Sequence, residues 1–106
     1  MPYLVLAWDH PGMDEEREQV REDHRRYLAS FGKRLLASGA LLSEEDGSVV
    51  GGASLLDTDD YGEARRFESG DPYARAGIRR EVTIVPWRMR WWAGVFDPAG
   101  QRKATE

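Results

Sequence analysis

Cysteine is absent from this chain of 106 residues, which excludes a disulfide framework, a thiolate nucleophile and a cysteine metal site. Long apolar runs are missing too. The stretch from Leu4 to Trp8 is stopped by Asp9 and His10, too short for a signal peptide or a membrane span. Positive charge never clusters beyond a pair and the net charge is −4, so the basic footprint of a nucleic-acid binder is lacking. Histidine is scarce. His10 and His24 are the only two and lie on different elements, with no carboxylates in register, so no metal site is expected. Gly51-Gly52 is followed by neither a helix nor a lysine and is no phosphate loop. No serine stands in a nucleophile elbow. The expectation is a cytoplasmic protein without metal, cofactor, nucleic-acid or membrane partner.

What is present is enough for one compact core. A chain of this length buries about two-thirds of its unfolded surface, and an apolar fraction of 41% suits a globular domain. Tyr3 to Trp8 reads as a buried strand closed by the turn cluster Asp9-His10-Pro11-Gly12. From Met13 to about Leu36 the sequence reads as one amphipathic helix, capped by Asp14 and stopped at Gly39. Ala40 to Ser43 and Val49 to Asp57 are short strands around a turn that holds Asp46-Gly47. A second helix opens at Asp59 or Asp60, with Tyr61, Ala64, Phe67 and Arg65 on its inner side, and ends at Gly70. Asp71 to Gly77 is a single turn with Pro72 at its first position. Arg79 to Trp87 is a fourth strand, with Val82, Ile84 and Pro86 on one face. Arg88 to Phe96 is rich in tryptophan, and residues 97–106 read as a loose tail behind a single domain of residues 1–96.

The order βαββαβ predicts an α+β, ferredoxin-like fold, a four-stranded antiparallel sheet with two helices on one face. The opposite sheet face would then be bare. Strand residues on that face, with Trp87, Trp91, Trp92 and Phe96, are expected to be covered by a second copy, giving a homodimer.

His24 carries the chemical interest, because it stands in the apolar stripe formed by Val20, Tyr27, Leu28, Phe31 and Leu35. An inward imidazole is either a core histidine bonded to a carbonyl or a working group whose tautomer is fixed by a carboxylate. Asp71 is the candidate carboxylate. As the residue before Pro72 it is also a helix cap, and a cap has a second oxygen to offer. Arg21 and Arg17 lie along the same helix edge and suit an anionic substrate group or an enolate. Snorkelling, or surface pairing with Glu18, Glu22 or Asp14, is the commoner role for such arginines. Asp9 can reach the same pocket mouth, although turn formation explains it as well. Tyr73 fits packing better than chemistry.

The run Arg21-Glu22-Asp23-His24-Arg25-Arg26-Tyr27-Leu28, then Asp71-Pro72-Tyr73-Ala74-Arg75-Ala76-Gly77, then Ile84-Val85-Pro86-Trp87, resembles the YciI-like (YCII) family. The resemblance covers residues 2 to 88. It implies a subunit of the dimeric α/β-barrel superfamily, in which two sheets pack face to face. It implies a His24–Asp71 active pair, and lyase, isomerase or dehydrochlorinase chemistry on small ring compounds without metals or organic cofactors. Asp9, Arg17, Ser54 and Tyr73 are the expected substrate-binding residues beside the catalytic His24, Asp71 and Arg21. Two departures stand out: Gly52 occupies a position that is often serine, with Ser54 on the same strand face as a replacement, and Gly39-Ala40 replaces Gly-Pro.

Two functions follow. One is a cofactor-independent enzyme in which His24 moves a proton on a small cyclic or aromatic acid. The other is a ligand-binding or accessory dimer in which His24–Asp71 is only a structural bond.

Overall fold

The computed structural model describes residues 1–98. The strand β1 (Tyr3–Asp9) leads into helix α1 (Asp14–Ala29), then strands β2 (Leu35–Leu42) and β3 (Val49–Leu56). Helix α2 (Tyr61–Ser69), a one-turn α3 (Pro72–Arg75) and strand β4 (Arg79–Pro86) follow. The four strands form one antiparallel sheet in the order β2-β3-β1-β4. The chain therefore has the ferredoxin-like α+β fold that the element order predicts.

Alternation along β1 decides which face is buried. Val5 and Ala7 are 2% and 1% exposed, whereas Leu4, Leu6 and Trp8 between them are half-buried. Val5 joins Leu56, Ala64 and Phe67 in the core, with Tyr27, Leu28, Phe31 and Leu35 packed against it. Both helices thus press on one side of the sheet. Tyr27, Phe31 and Phe67 meet as an aromatic cluster, with Phe31 and Phe67 edge to face at 4.9 Å. The Tyr27 hydroxyl donates to Phe67 O at 3.0 Å and ties α1 to α2.

Helix α1 is shorter than the periodicity suggests. It ends at Ala29, and a 3₁₀ turn at Gly32–Arg34 leads into β2 at Leu35, so Gly39 lies inside a strand and is not the helix stop. Gly32, with φ of 56°, makes the turn. Phe31 and Leu35 continue the apolar stripe because the turn and the strand feed the same core. The N-cap is Met13 with no side-chain bond, and Asp14 is the first helical residue, so Asp14 does not cap α1. With Glu15 and Glu16 it still places negative charge at the positive end of the helix dipole. On α2, Asp60 caps by accepting from Gly62 N at 2.9 Å. The inner residues of α2 are Ala64, Phe67 and Glu68; Arg65 is exposed.

After β4 the chain makes a small ribbon of β5 (Trp91–Trp92) and β6 (Val95–Phe96). Ala93 and Gly94 both have positive φ, the backbone of a tight two-residue hairpin turn. Trp91 and Phe96 touch at 4.9 Å and remain exposed. Most of the tail expected from Asp97 onward lies outside the described residues. Among the described residues, no helix is long and apolar enough to cross a membrane.

Candidate active site

Between α1 and the sheet lies a cavity of about 380 Å³, lined among others by Arg17, His24, Gly52, Ser54, Asp71 and Tyr73. That size falls at the lower end of pockets that hold small ligands. The chemical groups gathered at and behind its wall come from several elements. His24 projects from α1 because it occupies the helix's inward stripe with Val20, Tyr27 and Leu28. Asp71 and Tyr73 come from α3, which begins where Pro72 fixes the first helical position. Asp9 ends β1, and Arg79 opens β4 opposite it.

His24 Nδ1 lies 2.8 Å from Asp71 Oδ1. The same Oδ1 accepts the backbone N–H of Tyr73 at 2.9 Å, so one oxygen both caps α3 and meets the imidazole. The second oxygen turns instead toward Arg79 Nη2, at 3.6 Å. The Asp71 side chain is only 4% exposed. A buried carboxylate at Nδ1 selects the tautomer with the proton on Nδ1, which leaves the Nε2 lone pair on the opposite edge of the ring. Tyr73 stacks on the imidazole at 3.9 Å with 15° between the planes and holds its orientation. Tyr73 is 4% exposed, and Arg17 lies over its ring at 4.4 Å. It packs against the chemical groups and lines the cavity as well.

Asp9 sits at the centre of the ion pairs. It accepts from Arg17 Nε at 2.7 Å and from Arg79 Nη1 at 2.8 Å. Arg17 is therefore an inward residue, not a surface one. Arg21 is different: it pairs with Glu18 on the helix surface and reaches only the cavity rim, its side chain 44% exposed. Ser54 shares a hydrogen bond of 2.9 Å with Ser38 across the β2–β3 pair. It faces the helices with Gly52, as their pairing with Val5 and Ala7 requires.

Two buried charged groups of the cavity wall escape the sequence reading, Glu68 and Arg79. Arg79 has a side chain 9% exposed among three carboxylates, those of Asp9, Glu68 and Asp71. Glu68 Oε2 and Arg79 Nε stand 3.6 Å apart, both buried and without a hydrogen-bond partner among the described residues. Burial pushes the Glu68 carboxyl up to about 7. Arg79 opposes that shift, while the charges of Asp71 and Asp9 add to it. The signal for Glu68 was its place four residues after Ala64. Arg79 gave none, because a bulge where the β1–β4 register shifts between Trp8 and Asp9 puts it on the inner face. Among the described residues no three His, Asp or Glu side chains converge to hold a metal ion. Buried carboxylates, two inward arginines and an oriented imidazole instead suit proton movement on an anionic molecule.

Comparisons with known proteins bear on the family and the fold. The model of the YCII-related domain matches residues 1–88. An uncharacterized protein of Haemophilus influenzae is 30% identical over 95 residues, spanning 83% of this chain and 97% of its own. Among solved structures, the 5-chloro-2-hydroxyhydroquinone dehydrochlorinase TftG of Burkholderia phenoliruptrix, in complex with 2,5-dihydroxybenzoquinone, superposes with a TM-score of 0.76. It is 22% identical and covers 82% of this chain and 93% of its own, a likeness of fold.

Proposed function

Since the chain belongs to the YCII-related family, we propose that it is a cofactor-independent enzyme of the lyase or isomerase kind acting on a small cyclic or aromatic acid. The observation that carries this reading is the His24–Asp71 hydrogen bond at the wall of a ligand-sized cavity. Asp71 accepts the Nδ1 proton and stabilises the imidazolium that forms when Nε2 takes a proton from the substrate. The same Nε2 then returns that proton to another substrate atom or to a leaving group. Arg17 and Ser54 line the space for the ring, and Arg21 draws the anion in at the rim. TftG, described as a dehydrochlorinase in complex with a dihydroxyquinone, supports a small ring compound as the substrate class.

A second copy is proposed to cover the bare side of the sheet. Support comes from Leu4, Leu6 and Trp8, half-buried on the face that neither helix touches, and from Val85 beside Leu4, 39% exposed. The lack of cysteine suits the cytoplasm as its place of work.

The catalytic reading is tested with a panel of small ring acids and halogenated hydroxyquinols, followed by mass spectrometry and halide release. Wild type should convert at least one, and His24→Ala should lower kcat for it by ~10²–10⁴-fold. Undiminished kcat in His24→Ala, or no conversion across the panel, counts against the reading.

A further inference from the structure

Arg79 is surrounded by acid and yet poorly bonded. Of its five N–H groups, only one on Nη1 lies within hydrogen-bond reach of a partner among the described residues, Asp9. Nε faces Glu68 at 3.6 Å and Nη2 faces Asp71 at 3.6 Å, both too long. Buried donors left unmade are costly. Glu68 Oε2, itself buried, is unpartnered in the same way. Beside Nη2 the wall has no side chain, because residue 52 is glycine: a Cβ there would lie 3.5 Å from Nη2. The guanidinium is thus approachable from the cavity at that point.

Charge decides what can approach. With Asp9, Asp71 and Glu68 all ionised, three negative charges face the two positive charges of Arg17 and Arg79. With Glu68 neutral, the two signs balance and the Nε edge of Arg79 loses its carboxylate competitor. We propose that Arg79 is the anion-binding residue of this cavity, holding a substrate carboxylate through Nη2 beside Gly52, and that Glu68 takes up one proton from solvent when the anion binds. The upward shift of Glu68 to about 7 agrees with this role.

The groups around the pair are accounted for. From β1 comes Asp9, and from α1 come Arg17, Arg21, His24, Arg25 and Tyr27. Asp71 stands at the head of α3 and Tyr73 within it, its ring under Arg79 at 5.4 Å, and Tyr61 and Arg65 of α2 lie on the far side of the pair. The lining residues of β2 and β3 bring no titratable side chain. Arg21 and Arg25 are engaged by Glu18 and Glu22. Of the three carboxylates around Arg79, Glu68 is the one whose inward oxygen, Oε2, lacks a hydrogen bond among the described residues.

The inference takes only the ligand class from the proposed function, and its test does not pass through turnover. Failure of the His24→Ala experiment would end the catalytic reading and leave the binding result intact. Benzoate is the probe, since it stays a monoanion from pH 6 to 8.5. Calorimetry of the wild-type protein in two buffers of different ionisation enthalpy should show uptake approaching about one proton at pH 8 and little at pH 6. Affinity should weaken toward ~10-fold per pH unit above 7. Glu68→Gln should abolish both the uptake and most of that slope. Arg79→Gln, checked for folding by circular dichroism, should bind at least ~10-fold more weakly at pH 6. The inference is overturned by benzoate that does not bind at pH 6, by no uptake at pH 8, by an unchanged slope in Glu68→Gln, or by full affinity in folded Arg79→Gln. The first two outcomes need no variant.

Discussion

Glu68 shows how a single buried carboxyl makes the whole fold sensitive to pH. In the folded chain its carboxyl is pushed from the usual 4.5 up to about 7, first by burial, so the native state binds this proton more tightly than the unfolded chain does. Stability should then fall as pH rises from 4.5 through 7, and stay level above. After allowance for solvent screening, the loss is on the order of 2 kcal/mol. Glu68→Gln removes the titration. Denaturant melts at pH 5 and pH 8 should show wild type losing ~2 kcal/mol relative to the variant over that range. A constant difference at both values would contradict the assignment. His24 and Asp71 were legible in the sequence for a local reason: an imidazole in an apolar stripe and an aspartate before proline each mark themselves. Glu68 and Arg79 were not. The spacing of Glu68 from Ala64 marks an inward position but not its partner, and no local pattern announces the long-range ion pair with Arg79.

The elements were read well in kind and poorly at two borders. Strand alternation in β1 and the turn residues Asp46 and Gly47 gave the sheet. The end of α1 was misplaced because Phe31 and Leu35 feed the core from beyond the helix, keeping its period alive. The bulge opposite Trp8 and Asp9 was hidden for a related reason: alternation cannot show where a register slips. The contact between α1 and α2 offers a test. Gly70 follows α2 with φ of −86°, open to any residue, but an added Cβ would come within 2.6 Å of the Tyr27 hydroxyl. Gly70→Ala should therefore break the Tyr27–Phe67 hydrogen bond and cost ~1 kcal/mol. In a Tyr27→Phe background the same substitution should cost clearly less. An equal cost in both backgrounds would show that the hydroxyl is not what Gly70 accommodates.

At the scale of the molecule, one sheet face carries the helices and the cavity while the other, which carries Leu4, Leu6 and Trp8, has no helix on it among the described residues. A stable chain of this kind is expected to associate through that face. Light scattering behind size-exclusion chromatography should give twice the chain mass, and Leu6→Glu should return the monomer. A wild-type monomer at high concentration would remove the dimer from the account. The βαββαβ order was readable because each element carries its own periodicity, whereas assembly depends on surfaces that no single chain completes. The chemistry turns on one ring: with Asp71 accepting from Nδ1 of His24, Nε2 is left unprotonated beside the cavity. The direct measurement is the ¹⁵N chemical shifts of the His24 ring at a pH where it is neutral. They should report the Nδ1–H tautomer in the wild type and its loss in Asp71→Asn. A neutral ring protonated on Nε2, or one indifferent to Asp71, would contradict the account.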